Sequence, residues 1–307
     1  MSATPRVAAV IACFDPPDSL VEAVREAAVQ TDLVVAVDDG SVGTTDVFVR
    51  LGACGATVLH QANAGIAAAL NAGIRVAREQ GADVVLTLDQ DSRLGSGYVA
   101  AALATLAAAA AGGIPVGFVS AESYSGHRAP TDGWAGRGVD ARVPRAFDPM
   151  QSGWVVPLTT FDRLGPLEED LVIDGVDSEF TARCRAAGLD PVIGPGCLLG
   201  HGQGERMPAR LLGRPVVVRG VALAYNRHVP IRVYYMTRNG TVITRRHLLR
   251  QPRWVMRRLV EEATAHGIRL VFDPQRGRLL VATLAGWRDG LRGRTGRIPS
   301  DLERRLR

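Results

Sequence analysis

The sequence predicts an α/β fold with a mainly parallel sheet, followed by a basic, helical C-terminal region. Three observations lead to this prediction. Short apolar segments alternate four times with helical segments across the first 90 residues, and the links between them are short. These apolar segments end in acidic or amide side chains. Residues 245–307 hold 16 Arg and six acidic residues, a net charge of +10.

The predicted strands are runs of apolar residues bounded by polar ones, a pattern typical of strands that are buried on both faces of a parallel sheet. They lie at residues 7–12, 33–37, 57–60 and 84–88, with helices predicted at 20–30, 44–51 and 66–80. The charge-free segment 94–121 is long enough to cross a bilayer. Its polyalanine core and its Gly112, Gly113 and Pro115 instead indicate a helix at 97–111 and a strand at 116–120.

Composition excludes several functional classes. The chain has no Lys, so it cannot carry the lysine-containing phosphate loop of P-loop enzymes. The first predicted strand is followed by CFDPPD rather than by a glycine-rich turn, which disfavours a nicotinamide dehydrogenase. The four Cys show no paired spacing, and the N-terminus lacks the features of a signal peptide. We therefore expect a cytoplasmic protein with reduced thiols.

Two carboxylates, Asp89 and Asp91, follow the fourth predicted strand and are separated by Gln90. Ligands bind at the carboxyl ends of strands in open α/β sheets. Two acids at that position can hold a divalent cation that in turn binds phosphate oxygens. The alternative is a solvated acidic loop.

Acids and amides at the ends of the neighbouring strands predict a nucleotide site. Carboxylates there can hydrogen-bond sugar hydroxyls and base N–H groups, whereas they repel phosphates unless a cation intervenes. The predicted nucleotide-binding residues are Ala12, Phe14, Asp15, Asp38, Asp39, Asn63, Asp89 and Gln90.

Six motifs in order resemble the family 2 glycosyltransferases, and in particular bacterial rhamnosyltransferases that use dTDP-L-rhamnose. They are VDDGS at 37–41, NAGIAAALNAGI at 63–74, LTLDQDS at 86–92, SGW at 152–154, IDGVDSEFTAR at 173–183 and VPIRVYYMTRNG at 229–240. The resemblance implies the GT-A fold, a nucleotide-diphospho-sugar transferase fold with a Rossmann-like sheet. We expect a GT-A domain at 1–204, with a nucleotide-sugar half at about 1–120 and an acceptor half at about 121–204. The helical, Arg-rich region would then span 205–307.

The resemblance also implies the catalytic residues. It assigns the general base to Asp177, which lies in the first turn of a predicted helix, where the helix dipole keeps a carboxylate ionised. Asp174 and Glu179 are weaker candidates, Asp177 can instead be a helix cap, and Glu179 can pair with Arg183 four residues on. The resemblance makes His201 the third metal ligand beside Asp89 and Asp91, with Mn²⁺ or Mg²⁺ as the ion.

Five residues are predicted to bind the acceptor or the transferred sugar. Gly can allow close backbone approach to a ligand, and Trp can stack on a sugar ring. The alternative for this motif is a glycine turn beside a core Trp. The five residues are Ser152, Gly153, Trp154, Asp174 and Glu179. The Gly-, Arg- and Pro-rich segment 122–150 is expected to form a mobile loop and a strand edge, with no chemistry assigned.

We therefore expect an inverting, metal-dependent glycosyltransferase that transfers L-rhamnose from dTDP-L-rhamnose. Its acceptor would be a cell-surface glycan or a polyprenyl-diphosphate-linked sugar. The alternatives are a galactofuranosyl or other transferase that uses a UDP-sugar, a nucleotidyltransferase, and a silent nucleotide-sugar-binding module. The basic C-terminal region predicts peripheral contact with the anionic inner face of the cell membrane rather than with nucleic acid. Both a monomer and a homo-oligomer are compatible with the sequence.

Overall fold

The computed structural model describes residues 4–133, 143–202, 206–211, 214–218 and 220–307. Residues 134–142, within the loop expected at 122–150, lie outside this range. The chain forms two compact units. The first comprises Met1–Val172 and Val176–Gly202, and the second comprises Ile173–Gly175 and Gln203–Arg307.

The first unit is built on a seven-stranded sheet. Its strands are β1 (Val7–Cys13), β2 (Leu33–Asp38), β3 (Thr57–His60), β4 (Val84–Asp89), β6 (Val116–Ser120), β9 (Trp154–Pro157) and β10 (Asp190–Ile193). The strand order is β10-β6-β9-β4-β1-β2-β3. All neighbours are parallel except β9, which runs antiparallel between β4 and β6. The predicted mainly parallel α/β sheet is confirmed, and the antiparallel β9 is an addition that the sequence did not predict.

Helices cover both faces of this sheet. They are α1 (Leu20–Gln30), α2 (Thr45–Ala53), α3 (Ile66–Glu79), α4 (Tyr98–Ala111), α5 (Leu158–Leu164) and α6 (Val176–Ala186), with a 3₁₀ turn at Glu169–Leu171. Successive residues of β1 point to opposite faces, as a strand requires. Ala9 and Ile11 pack in the cluster that includes α1, α2 and α4, whereas Ala8 and Val10 pack in the cluster that includes α3, α5 and α6. The central strands are therefore buried on both sides.

A smaller sheet lies next to the carboxyl end of β4. Its strands are β5 (Arg93–Leu94), β7 (Ser123–Tyr124), β8 (His127–Arg128) and β11 (Leu198–Gly200), in the order β5-β11-β7-β8. β5 begins four residues after β4 ends, so the acidic turn leads directly into this sheet. β11 pairs with both β5 and β7. The pairing brings residues far apart in sequence next to the turn after β4.

The second unit contains short strands and four helices. The strands are β12 (Arg206–Pro208), β13 (Arg210–Leu211), β14 (Arg214–Pro215), β15 (Val217–Val218), β16 (Val221–Ala222) and β17 (Ala224–Asn226). The helices are α7 (Pro230–His247), α8 (Pro252–Phe272), α9 (Arg276–Leu291) and α10 (Ser300–Leu306). The prediction of a helical region over 205–307 is wrong for 206–226, where the described residues form antiparallel pairs. Proline and β-branched residues in this segment disfavour a helix. The helical pattern of the residues that follow does not extend into it.

Small residues allow α7 and α9 to pack closely. A Cβ on Gly286 would lie 2.7 Å from the backbone oxygen of Tyr234, and one on Gly290 would lie 2.6 Å from Thr241 Cβ. Within the described residues, no helix combines the length and apolar character needed to span a bilayer.

Candidate active site

Three potential metal ligands meet at the carboxyl end of β4. Asp89, Asp91 and His201 each offer one ligand atom, and these atoms lie within 4.8 Å of one another. His201 Nδ1 is 3.4 Å from Asp91 Oδ1 and 4.0 Å from Asp89 Oδ2. Two carboxylates and an imidazole form a donor set that suits Mn²⁺ or Mg²⁺, with further oxygens supplied by a ligand. The geometry thus places together the three residues predicted as metal ligands.

Buried polar residues hold Asp89 in position. Its backbone N–H donates to Ser152 Oγ at 3.0 Å, and its Oδ1 accepts a hydrogen bond from the side-chain amide of Gln151. Gln151 is in turn fixed by Thr87, whose hydroxyl donates to the Gln151 carbonyl at 2.6 Å. Gln151 was not singled out in the sequence, although it directly precedes the SGW motif.

The imidazole of His201 is also fixed by a hydroxyl group. Ser92 Oγ lies 3.0 Å from His201 Nδ1 and 2.7 Å from Ser152 Oγ. Ser92 is 1% exposed and Ser152 is fully buried, so this hydroxyl pair is shielded from solvent. It couples β4, the start of β9 and the residue after β11. The contact orients the His201 ring, and an ion bound at Nδ1 would replace it, since one nitrogen cannot bind both.

Gly202 packs directly against one ligand. A Cβ at this position would lie 2.4 Å from Asp91 Oδ2, well inside van der Waals contact. Because Gly202 has no side chain, the Asp91 carboxylate can lie beside His201.

The predicted base, Asp177, lies in the first turn of α6. Its Oδ1 accepts a hydrogen bond from the backbone N–H of Ser178 at 2.8 Å, and Ser178 Oγ donates to Asp148 Oδ2 at 2.7 Å. Burial, and then the negative charges of Asp177 and Asp89, raise the pKa of the Tyr124 phenol. Both carboxylates therefore act electrostatically on the same phenol.

Asp38 and Asp39 are buried and hydrogen-bonded within the protein. Asp38 accepts hydrogen bonds from the Ser41 N–H at 2.8 Å and lies 2.9 Å from His60 Nδ1. Burial alone would raise the pKa of Asp38, but the contacts with Ser41 and His60 outweigh it and lower the pKa. Asp39 is 5% exposed, and it accepts three hydrogen bonds at 2.8 Å, from the Gln61 side chain and from the N–H groups of residues 64 and 65. In this arrangement both acids organise the adjacent loops, and direct contact with a nucleotide stays a prediction.

The loop after β1 is joined to the acidic turn by Gln90. Its side-chain oxygen accepts the Phe14 N–H at 2.8 Å, and its amide donates to the Phe14 carbonyl at 3.1 Å. The Phe14 ring is 48% exposed. Asp15 adopts a positive φ of 44° and accepts the Val42 N–H at 2.8 Å.

The remaining predicted nucleotide-binding residues lie at the same ends of the strands. Ala12 pairs with Asp89 across the β1–β4 ladder, and it is half-buried. Asn63 is exposed, and its backbone nitrogen packs on Gly40, where a Cβ would be only 2.6 Å away. The chain thus brings the predicted nucleotide-binding residues to one edge of the sheet.

The SGW motif is buried, which corrects its predicted role. Ser152 holds Asp89, as described above, and Gly153 allows close approach of Tyr98, whose hydroxyl would lie 2.5 Å from an added Cβ. Trp154 is 1% exposed and stacks on Phe118 with ring centroids 4.1 Å apart. The reason is the position of β9 inside the sheet, where both faces are covered. The alternative of a glycine turn beside a core Trp is therefore the observed arrangement, and contact of Trp154 with a sugar ring is not.

The two alternative acids near Asp177 have other partners. Glu179 is 3% exposed and pairs with Arg183 at 2.8 Å, as the helical spacing predicts. Asp174 belongs to the second unit, where Arg232 binds both of its carboxylate oxygens at 3.0–3.1 Å. Neither contact favours a role as base.

Comparison with known proteins identifies the family. The model of glycosyl transferase family 2 matches residues 8–158. The dTDP-rhamnosyl transferase RfbF of Shigella flexneri is 27% identical over 249 residues, which cover 76% of this chain and 77% of RfbF. Residues 8–158 are a family 2 glycosyltransferase domain. The predicted resemblance to family 2 glycosyltransferases, the GT-A fold and the enzyme class are thereby confirmed.

Solved structures of TarS from S. aureus are also similar to this glycosyltransferase. One TarS chain is 12% identical with a TM-score of 0.47, and the alignment covers 92% of this chain but only 55% of TarS. TarS 1–349 in complex with UDP is 13% identical with a TM-score of 0.45, covering 94% of this chain and 92% of that one. At these low TM-scores the likeness adds nothing to the assignment.

Proposed function

We propose that this glycosyltransferase is inverting and metal-dependent, and that it transfers L-rhamnose from dTDP-L-rhamnose to a cell-surface glycan or a polyprenyl-diphosphate-linked sugar. The donor is proposed from the similarity to RfbF, whose name gives it as a dTDP-rhamnosyl transferase. The observation that carries the mechanism is the cluster of Asp89, Asp91 and His201. Asp177 and Asp89 both act electrostatically on the Tyr124 phenol.

Asp89, Asp91 and His201 would hold Mn²⁺ or Mg²⁺. When bound, the ion supplies positive charge that stabilises the diphosphate leaving group. The chain contributes the orientation of the ligands: Gln151 and Ser152 fix Asp89, while Ser92 fixes His201. The exposed ring of Phe14, tied to the same turn by Gln90, is available to contact the base.

Asp177 would act on the acceptor. Its carboxylate takes the proton of an acceptor hydroxyl while that oxygen attacks the anomeric carbon. The bond from the anomeric carbon to the diphosphate oxygen breaks, and dTDP leaves with the electron pair. A single displacement of this kind inverts the configuration at the anomeric carbon.

The proposed donor is tested with a panel of nucleotide sugars in the presence of Mn²⁺ or Mg²⁺, scoring release of nucleotide diphosphate. We expect release of dTDP from dTDP-L-rhamnose and loss of the reaction in EDTA. Turnover of UDP-galactofuranose instead would contradict the proposed donor, and formation of dTTP and a sugar 1-phosphate when pyrophosphate is added would indicate a nucleotidyltransferase.

The proposed base is tested with Asp177→Asn. Removing a general base lowers the rate by about 10²–10⁴-fold, whereas metal-dependent dTDP binding should persist. Asp46→Asn is the matched control, because Asp46 is also an acid in the first turn of a helix, on α2. Unchanged turnover in Asp177→Asn would remove Asp177 from the mechanism, and binding without turnover in the wild type would indicate a silent module.

We further propose that the second unit contacts an anionic membrane surface through α9. Four side chains on this helix are exposed and lie on one face, at spacings of four, three and four residues: Leu280, Leu284, Trp287 and Leu291. Their exposed fractions are 47–60%. Exposed Arg276, Arg288 and Arg292 belong to or adjoin the same helix. An apolar face with Trp and flanking Arg is typical of helices that lie in a membrane interface.

Sedimentation with phosphatidylglycerol vesicles tests this contact. We expect binding that weakens with added salt, and that Leu284→Ser together with Leu291→Ser abolishes it. Val29→Ser is the control, because Val29 is 86% exposed but lies on α1, in the first unit. Equal vesicle binding by the double variant and the wild type would refute the proposed face. So would a wild type that binds no vesicles and whose oligomeric state changes on the double substitution.

A further inference from the structure

A buried guanidinium in the second unit lacks a full set of partners. Arg269, on α8, is 7% exposed, and its Nε donates to the carbonyl of Asn226 at 3.0 Å. Its Nη1 is buried and has no hydrogen-bond partner. Burying such a donor without a partner is unfavourable, and more so when the group is charged. The side chain is therefore placed where an acceptor would be favourable.

The neighbouring acids face other groups, although Oδ2 of Asp273 is buried and accepts no hydrogen bond. Asp174 accepts hydrogen bonds from two nitrogens of Arg232, Nε and Nη2. Asp273 accepts the Gln275 N–H at 2.8 Å through Oδ1, and its Oδ2 lies 4.0 Å from Arg227 Nε. Among the described residues, Arg269 forms no ion pair within 4.0 Å. Asp174 and Asp273 thus each face another Arg and also act on Arg269, so two carboxylates stand against the three guanidinium groups of Arg227, Arg232 and Arg269.

Two imidazoles belong to the surroundings of Arg269: His266 lies one helical turn before it on α8, and His228 lies two residues after Asn226, whose carbonyl accepts from Arg269 Nε. Burial, followed by the charges of Arg269, Arg232 and His266, lowers the pKa of His228 to about 4. Burial and Arg269 lower the pKa of His266 to about 4 as well. At neutral pH both rings are uncharged, and each still carries one N–H donor. The result is a concentration of donors next to Nη1 of Arg269, which has no hydrogen-bond partner.

We propose that the second unit carries a site for a phosphate or diphosphate group, formed by two guanidinium groups and two imidazoles: Arg232, Arg269, His228 and His266. A phosphate oxygen would accept from Arg269 Nη1 and offset its charge. Guanidinium groups bind phosphates with strong, charge-assisted hydrogen bonds. Neutral imidazoles add N–H donors and, being uncharged, do not repel the guanidinium groups. This site contains none of the residues that we assign to the metal or to the base.

Asp174, the acid that faces Arg232, lies three residues before the proposed base in the sequence. The anion can come from a diphosphate-linked lipid or from free phosphate, and the two sources share the chemistry that the site would recognise.

Pyrophosphate binding to the full chain in EDTA is the direct test. Without a divalent cation the acids at the end of β4 repel the anion, so binding there is suppressed. We expect a saturable heat in calorimetric titration, and shifts of the His228 and His266 ring signals in NMR spectra. Arg269→Gln should weaken binding at least tenfold, whereas Arg257→Gln should bind as wild type, because Arg257 is on the same helix but pairs with the exposed Glu261.

The NMR measurement on the wild type keeps the test decisive if Arg269→Gln fails to fold. Absence of binding, unshifted His228 and His266 signals, or equal binding by a folded Arg269→Gln variant would overturn the proposal. Farnesyl diphosphate identifies the source. Tighter binding than pyrophosphate indicates a lipid-linked diphosphate, and equal or weaker binding indicates a free anion. These results do not depend on donor turnover, so failure of the rhamnosyltransferase proposal and failure of this one are distinguishable.

Discussion

Gly202→Ala should weaken the metal site without removing a ligand. The new Cβ would lie 2.4 Å from Asp91 Oδ2, whereas ordinary contact begins at 3.4 Å, so the carboxylate must move by about 1 Å. Asp91 can move because its side chain is 47% exposed. Metal–ligand distances tolerate deviations of only about 0.2 Å. We therefore expect a loss of about 10–100-fold in metal affinity and a change in unfolding free energy within about 0.5 kcal/mol.

Mn²⁺ binding measured by electron paramagnetic resonance, with dTDP present, checks this expectation. The rate of nucleotide diphosphate release should require more Mn²⁺ in the variant and should recover at saturating Mn²⁺. Gly52→Ala is the control, because a Cβ there meets no atom within 4 Å. Wild-type Mn²⁺ affinity in a folded Gly202→Ala variant would refute the assignment of Asp91 as a ligand.

Three more predictions rest on single contacts. Ser152→Ala removes the acceptor of the Asp89 N–H, so denaturant titration should show a loss of about 1–3 kcal/mol and Mn²⁺ affinity should fall; an unchanged affinity would contradict the positioning role. Gly286→Ala places a Cβ 2.7 Å from a backbone oxygen of α7, so overpacking should cost about 1–3 kcal/mol, whereas Gly267→Ala, with no atom within 4 Å, should not destabilise. Because the pKa of His266 is about 4 in the fold and 6.5 as its ordinary value, its contribution to stability is present above pH 6.5 and is lost as pH falls towards 4. Denaturation at pH 7 and pH 5 should therefore show a smaller pH effect in His266→Gln, and an equal effect would contradict the prediction.

The parallel strands could be predicted from sequence because each is a local pattern. The residues of β4 before Asp89 are apolar except for Thr87, and all of them are buried in the structure. A strand covered by helices on both faces requires this composition, so the composition alone predicts the strand. The acids that end β2 and β4 could be located for the same reason.

The role of Ser152 and Trp154 could not be predicted, because it depends on which strand lies next to which. β9 inserts antiparallel between β4 and β6, which no local pattern indicates. That insertion buries the indole of Trp154 and places the Ser152 hydroxyl on the Asp89 N–H. A Gly–Trp pair has the same appearance in a sequence whether it faces a ligand or the core.

The approach of His201 to Asp91 depends on a similar long-range pairing. β11 pairs with β5, about 100 residues earlier in the chain, and His201 directly follows β11. Periodicity gave no information about this contact, and only the family resemblance suggested it. The glycine-rich surroundings did contain one usable signal, because Gly202 is required by the position of the Asp91 carboxylate.

The strand order explains why the acidic turn can be held so firmly. β4 lies between β1 and β9, so the turn after Asp89 has a neighbouring chain on each side. On the β1 side, Gln90 forms two hydrogen bonds with the Phe14 backbone, and on the β9 side Ser152 and Gln151 bind Asp89. A carboxylate that is oriented before the ion arrives loses less conformational freedom on binding it. Substitutions at these uncharged positions should therefore act on the metal affinity, while the proton transfer proposed for α6 should be affected only through the ion.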